Sequence, residues 1–180
     1  MTEELILKRP DPAYADQIAE YRREFLEAGD SMDGCGALRR LEDPFEWVAL
    51  TEEFSDPERV PPQLVQATQF LCIRRSDNRL VGMIQVRHTL NDFLEKFGGH
   101  IGYSVRPTER RRGYAKKMLE AYLPYCRKLG IQKVLITCLE DNEGSRRTIL
   151  ANGGVYESTV YEPQEKVNLQ RYWITLTGIA

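Results

Sequence analysis

Residues 110–116 read RRRGYAK and lie between a predicted strand, residues 100–105, and a predicted helix. Pro107 ends the strand, and apolar residues recur at helical spacing over residues 114–129. The first turn of a helix has unpaired backbone N–H groups and a partial positive charge, and Gly113 would let a phosphate group approach that backbone closely. This strand, loop and helix therefore predict a binding site for a phosphorylated ligand.

Local signals divide the rest of the chain into strands and helices. A capping aspartate followed by proline, at residues 11–12 and again at 43–44, predicts two helices. Turn composition at residues 76–79 predicts a hairpin. The predicted strands cover residues 5–8, 69–73, 80–86, 100–105, 133–138, 155–160 and 171–176, and further helices cover 91–97 and 142–152. This order predicts an α/β (α+β) fold with one mixed sheet, in a single domain over residues 1–180.

The composition is that of a globular protein. The chain has 180 residues, 42% of them hydrophobic and 29% charged, with a net charge of -2, which argues against disorder. No apolar run reaches the length of a membrane span, and residues 1–4 are acidic where a signal peptide would be basic, so we expect a cytoplasmic protein without a membrane partner. The four cysteines form no CxxC pair, so we expect reduced thiols and neither a metal site nor a disulfide.

Charge is unevenly distributed along the chain. Residues 106–133 hold nine basic and two acidic residues, whereas residues 30–66 hold nine acidic and three basic ones. Either window could be an ordinary solvated surface. A nucleic-acid partner is not expected, because the basic window lacks the interleaved aromatic residues of single-strand binders and the whole chain is acidic.

The loop also resembles a known family signature. Its pattern, [Gln or Arg]-x-x-Gly-x-[Gly or Ala], is similar to the acyl-CoA loop of the GNAT superfamily of N-acyltransferases, and the order of elements fits that family from about residue 5 to 176. Residues 142–145, NEGS, are similar to the family's Asn and small residue after the fifth strand. Residues 87–88, 98–103 and 171–174 further resemble a bacterial branch described only as predicted acetyltransferases, which has no assigned substrate.

This resemblance implies a fold, a co-substrate and a set of contacts. The fold would be a mostly antiparallel sheet of six or seven strands flanked by helices, with a splayed cofactor cleft between the fourth and fifth strands. The co-substrate would be acetyl-CoA, with no metal. Homodimers are common in the family, although no interface is evident from the sequence. The implied cofactor-binding residues are Tyr103, Ser104, Val105, Arg110, Arg111, Arg112, Gly113, Tyr114, Ala115, Lys116, Asn142, Ser145 and Arg146.

The catalytic groups follow the family less closely. Two positions where the family often has a proton acceptor are Gly99 and Thr137, and the position of a usual tyrosine acid is Ile149. The remaining candidates for a general base are His100 and His88, because an imidazole with a pKa near 6.5 suits proton transfer at pH 7. A hydrogen-bonded structural role is the alternative for both, and strand alternation would point His100 away from the thioester.

We therefore expect an N-acetyltransferase that moves an acetyl group from acetyl-CoA to a primary amine of a small molecule or peptide, by direct attack in a ternary complex. The acidic window at residues 30–66 suggests a cationic acceptor. The alternative is a catalytically degenerate acyl-CoA-binding regulatory module, since the usual base and acid positions are changed.

Overall fold

Residues 4–176, the part of the chain that this computed structural model describes, form seven strands and four helices. The strands are β1 (Leu5–Lys8), β2 (Ala67–Arg74), β3 (Arg79–Arg87), β4 (Ile101–Val105), β5 (Lys133–Leu139), β6 (Val155–Glu162) and β7 (Val167–Thr175). The helices are α1 (Ala15–Ala28), α2 (Pro44–Phe54), α3 (Tyr114–Lys128) and α4 (Glu143–Ala151). Each strand predicted from the sequence is present, and β7 begins four residues earlier than predicted.

Local side chains explain where the helices begin. Asp43 accepts a hydrogen bond from the Phe45 amide at 2.9 Å at the start of α2, and Asn142 accepts one from the Ser145 amide at 3.1 Å at the start of α4. In contrast, α3 begins at Gly113, which has a left-handed backbone with a φ of 78° and supplies no capping side chain. The N-terminal amides of α3 are therefore left for another partner.

The strands form two antiparallel sheets, whereas the order of elements alone predicted one mixed sheet. One sheet has the order β1-β2-β3-β4 and includes the predicted β2–β3 hairpin, and the other has the order β5-β7-β6. The seven antiparallel strands and flanking helices agree with the predicted fold class. The sheet divides between β4 and β5, where the two strands touch at one end and then separate. The family resemblance implied a splayed cleft between these two strands.

The junction between the sheets lies at His100, just before β4. Its amide donates to the Leu135 carbonyl at 2.7 Å, and the Leu135 amide donates to Nδ1 of the His100 ring at 2.9 Å. Gly99 is tightly packed against the same strand, because a β-carbon on it would lie 2.5 Å from the Leu135 oxygen. An imidazole thus takes the place of a main-chain acceptor, and the ladder ends there.

Two apolar clusters cover the two faces of the four-stranded sheet. Buried residues of α3, including Met118 and Tyr122, pack on one face, and α1 and α2 contribute Tyr21, Phe25 and Trp47 to the other. The segment predicted as a short helix at residues 91–97 is a turn of π-helix, Leu94–Gly98. Helices therefore cover both faces of this sheet, and the gap between β4 and β5 is left open.

The sequence predicted three features to be absent: a membrane span, a disulfide and a metal site. No helix in residues 4–176 is long and apolar enough to cross a membrane. All four cysteines are buried as free thiols, and this part of the chain contains no cluster of three or more His, Cys, Asp or Glu side chains arranged for a metal.

The junction makes Gly99 hard to replace. We expect Gly99→Ala to lower the free energy of unfolding by at least about 3 kcal/mol, because it adds a clash with the main chain of β5 to the strain of a positive φ. Gly153→Ala is the matched control: its φ of 86° is equally restrictive, but the space around it is open, so we expect a loss of about 1 kcal/mol. Urea unfolding measures both, and equal losses would contradict the role given to the junction.

Candidate functional site

A cleft of about 790 Å³ opens where β4 and β5 separate. Its walls are the end of β4, the start of α3, the start of α4 and the segment that follows α1. Eleven of the thirteen sequence-predicted cofactor residues line it: Tyr103, Ser104, Val105, Arg110, Arg111, Gly113, Tyr114, Ala115, Lys116, Asn142 and Ser145. Residues from three separate parts of the chain are therefore gathered on one elongated surface.

The wall formed by β4 exposes main-chain groups. The strand is the edge of its sheet, where Tyr103 and Ser104 pair with β3 on one side only. On the other side, within residues 4–176, no strand is paired with it, and Arg110 Nε donates to the Val105 carbonyl at 3.3 Å. An extended ligand with amide groups could bind this edge as an added strand does.

The start of α3 forms the opposite end of the cleft and favours an anion. This helix has 15 residues and no capping side chain at Gly113. No atom comes within 4 Å of the position of a β-carbon on Gly113, and Arg111 and Lys116 line the cleft beside it. Exposed amides, a helix dipole and two cations are the features that bind pyrophosphate.

A buried carboxylate fixes the loop before α3. Glu109 accepts hydrogen bonds from Arg74 Nη1 at 2.7 Å and from Arg79 Nε at 2.6 Å, and Arg112 lies 3.5 Å from it. Burial opposes ionisation of Glu109, but these arginines outweigh it and lower its pKa. Arg112 is thus directed to Glu109 and, unlike the predicted contact residues around it, lies outside the cleft lining.

Hydrogen bonds also connect the walls of the cleft to the neighbouring elements. The hydroxyl groups of Tyr103 on β4 and Ser145 on α4 are 2.7 Å apart, and burial raises the pKa of Tyr103. Asn142 caps α4 and lines the cleft, so its two predicted roles are compatible. Arg146 pairs with Glu143 at 3.1 Å on the surface and lies outside the lining.

Ser104 belongs to a buried polar group that the sequence did not reveal. Its hydroxyl lies 2.8 Å from the Tyr21 hydroxyl and 3.4 Å from Sγ of Cys35. Burial raises the pKa of the Cys35 thiol to about 12, so it is a neutral hydrogen-bonding group. The three side chains come from β4, α1 and the loop after α1, and no local pattern links them.

Neither predicted histidine lines the cleft. Nδ1 of His100 accepts the Leu135 amide, and burial followed by the charge of Arg87 lowers the pKa of His100 to about 4. Nε2 of His88 lies 2.7 Å from the Thr68 hydroxyl, and burial followed by a nearby arginine lowers its pKa as well. This bonding favours the structural role that the sequence left open for both residues.

Nor do the family's usual positions supply a base. A side chain cannot be added at Gly99 without a clash, and the Thr137 hydroxyl donates to the Phe97 carbonyl at 2.7 Å. Ile149 is fully buried. The departures from the family pattern are therefore parts of the packing of this chain.

A carboxylate that the sequence analysis did not single out lies in the cleft. Asp33 is exposed, lines the cleft, and accepts a hydrogen bond from Ser31 at 3.1 Å. It makes no ion pair with any residue in 4–176, whereas Asp30, beside it, pairs with Arg110 at 2.7 Å. The acidic window contained the signal, but nothing in the sequence distinguished Asp33 from its eight acidic neighbours.

Comparison with known proteins gives a family and a fold. The model of the Acetyltransferase (GNAT) family matches residues 36–153. No curated protein sequence matches the chain.

Solved structures resemble it over nearly its whole length. The ribosomal-protein-S5-alanine acetyltransferase from Vibrio fischeri has 13% identity and a TM-score of 0.73, and the match covers 100% of this chain and 97% of that one. The acetyl transferase of Salmonella typhimurium that modifies the N-terminal serine of ribosomal protein L7/L12 has 16% identity and a TM-score of 0.70, covering 98% and 96%.

A third similar structure was solved with a ligand. It is the microcin C7 self-immunity acetyltransferase in complex with acetyl-CoA and AMP, at 16% identity and a TM-score of 0.70, covering 97% of this chain and 94% of that one. At these identities the likeness shows the fold alone.

The buried neutral imidazole of His100 makes stability depend on pH. Its folded pKa of about 4 lies below the usual 6.5, so the unfolded chain binds more protons between these values and stability falls as pH decreases. Between pH 7 and pH 4 we expect the free energy of unfolding to fall by about 3 kcal/mol more in wild type than in His100→Asn. The carboxylates are the same in both proteins, so the difference reports the His100 imidazole. Urea unfolding across this range checks it, and parallel curves would show that His100 titrates normally.

Proposed function

The chain belongs to the GNAT family of acetyltransferases, and from this premise we propose that it transfers an acetyl group from acetyl-CoA to a primary amine of a small molecule or peptide. The observation that supports this most directly is the cleft, which joins the free edge of β4 to the uncapped start of α3. The edge of β4 can bind the amide groups of an extended ligand, and the start of α3 can bind the pyrophosphate of the same ligand.

The residues present fit acetyl-CoA. In this proposal the backbone amides of residues 111–115 bind the pyrophosphate, and the edge of β4 at residues 103–105 binds the amides of the pantetheine arm. In the same proposal Lys116, which lines the cleft, reaches the ribose phosphate, and Arg146, which pairs with Glu143 outside the lining, is the alternative. The bound thioester supplies the acetyl group that the amine accepts.

Asp33 is our candidate for the group that takes the proton of the amine, either directly or through water. An alkyl amine with a pKa near 10.4 is almost entirely charged at pH 7, and attack requires the neutral form. Asp33 and Asp141 are the cleft carboxylates without an ion pair among residues 4–176. Of the two, Asp33 is our candidate because it lies in the segment after α1, next to Gly34, which packs against Gly102 of β4. The buried group around Ser104 holds the adjacent wall in place.

The similar structures are compatible with a protein or peptide acceptor. Those from Vibrio fischeri and Salmonella typhimurium act on ribosomal proteins, so peptide amines stay within the proposed acceptor class. A cytoplasmic location and a homodimer stay predictions from the sequence.

Two other functions are less well supported. An acyl-CoA-binding module without transfer was suggested by the changed base and acid positions, and Asp33 supplies a carboxylate that such a module would not need. Nucleic-acid binding is disfavoured because part of the basic window is neutralised internally: Arg106 is buried against Glu20 and Glu24, and Arg112 lies beside Glu109.

Acetyl-CoA binding tests the site directly. We expect wild type to bind acetyl-CoA in isothermal titration and Gly113→Asp to bind at least about 30-fold more weakly, because a negative charge would lie where the pyrophosphate binds. Gly130→Asp is the matched control, since it places the same side chain at a φ of 84° in open space at the far end of α3. Equal affinity of both variants would contradict the location of the site.

Removal of the proposed proton acceptor tests the chemistry. We expect Asp33→Asn to lower kcat for CoA release by about 100-fold, which is the lower end of the range for a general base, and to leave acetyl-CoA affinity unchanged. Asp16→Asn, an exposed change on α1, should leave kcat unaltered. An unchanged kcat in Asp33→Asn would mean that the proton leaves by another path.

A further inference from the structure

A second cavity, of about 320 Å³, lies between α2, β2, β3 and the segment before β4. We call it the side pocket. Its apolar lining is made by Trp47, Leu50, Phe54, Leu64, Phe93 and Leu94. Phe93 and Leu64 retain about half of their surface, 54% and 47%, which is unusual for side chains of this size. The volume is at the small end of ligand sites and suits one compact molecule better than an extended peptide.

Arg87 lines the side pocket and is half-buried, and its hydrogen bonds go to main-chain carbonyls. Arg87 Nη1 donates to the carbonyls of Gly98 at 3.0 Å and Gly99 at 3.3 Å, and no carboxylate in residues 4–176 bonds to it. Burial lowers the pKa of Arg87, against a weaker opposing effect of Asp33. Three buried arginines differ from half-buried Arg87: Arg106 and Arg74 each bond two carboxylates, and Arg171 bonds one.

The side pocket adjoins the cleft across β4. Gln85 lines the pocket and pairs with Gly102, and a β-carbon on Gly102 would lie 3.4 Å from Arg87 Nη2. The next residue, Tyr103, lines the cleft. A molecule with a group bound to Arg87 would therefore lie close to the part of β4 that borders the cleft, where the proposed function places the acetyl group.

The charge of the pocket selects the kind of acceptor. Within residues 4–176 its charged lining residues are Arg40 and Arg87, and the carboxylates of the acidic window are absent from it. The cationic acceptor suggested by that window is therefore not favoured here. An apolar cavity with a desolvated guanidinium fits an apolar molecule with a carboxylate, because a carboxylate would replace the missing counter-ion in a two-pronged contact.

We propose that the side pocket binds the acetyl acceptor and that this acceptor is an apolar α-amino acid, with its carboxylate on Arg87 and its side chain against the apolar lining. This inference rests on the proposed function. In the reaction a bond forms between the amine nitrogen and the acetyl carbon, and the carbon–sulfur bond of the thioester breaks. The ammonium group first loses one proton to the solvent or to the proton acceptor, which gives the neutral amine. The second proton, lost as the amide bond forms, balances the one that the released thiolate gains.

Matched acceptors test the need for the carboxylate. With acetyl-CoA saturating, CoA release is measured for L-leucine and L-phenylalanine, for L-leucinamide, and for 3-methylbutylamine and 2-phenylethylamine. We expect kcat/KM for the two amino acids to exceed that for the analogues without a carboxylate by at least about tenfold, the effect of a charged hydrogen bond. Equal or faster turnover of the analogues, or turnover of N-terminal peptides alone, would overturn the inference while leaving the proposed function intact.

Variants assign the preference to Arg87. We expect Arg87→Met to lower kcat/KM for L-leucine by about 10- to 100-fold and to change that for L-leucinamide by less than about threefold. Arg59→Met, an exposed change beyond α2, should alter neither. An equal loss for both acceptors would mean that Arg87 only holds the turn at Gly98 and Gly99, and would contradict the inference.

A binding measurement separates this inference from catalysis and from folding defects. Titration of wild type with N-acetyl-L-leucine and with N-acetyl-L-leucinamide should show tighter binding of the carboxylate by at least about tenfold. This result would support the pocket even if no amine were acetylated, in which case the proposed function would fail alone. Equal affinity for the two compounds would overturn the inference whatever the activity.

Discussion

The cleft depends on the junction between His100 and Leu135. There the main chain of β4 reaches β5 through one amide-to-carbonyl bond, and the second bond goes to an imidazole nitrogen. A side chain cannot continue a ladder as a main-chain carbonyl does, so the strands separate beyond this point. Gly99 makes the close approach possible, because any β-carbon there would meet the Leu135 oxygen. The separation leaves one edge of β4 unpaired and available to a ligand.

Several buried charged side chains of this protein form ion pairs, and several charged side chains at the cleft are exposed. Glu109 forms ion pairs with Arg74, Arg79 and Arg112, whose charges would otherwise repel one another beside the loop before α3. Arg110 and Asp30 pair across the rim, while Arg111 and Lys116 line the cleft beside the start of α3. Arg87, in contrast, is half-buried and bonds main-chain carbonyls without a carboxylate, and a charge withdrawn from water without an ionic partner costs free energy.

The two cavities adjoin at β4. Residues 103–105 line the cleft, whereas Gln85 of β3, which pairs with Gly102 of β4, lines the side pocket. In the two proposals the free edge of β4 binds the extended co-substrate and the side pocket binds the acceptor, so both ligands would meet at this strand.

The sequence by itself determined the elements, the loop at Gly113 and the family resemblance, because caps, turn residues and apolar spacing act between residues close in the chain. It also located most residues of the cleft. The resemblance already implied that β4 and β5 separate. Only the tertiary structure decided that His100 is the neutral bridge to Leu135 at that point, and that Asp33 and Arg87 face cavities. Each of those facts depends on contacts between residues at least ten apart in the chain, where burial and the absence of a counter-ion are set by packing and leave no local pattern.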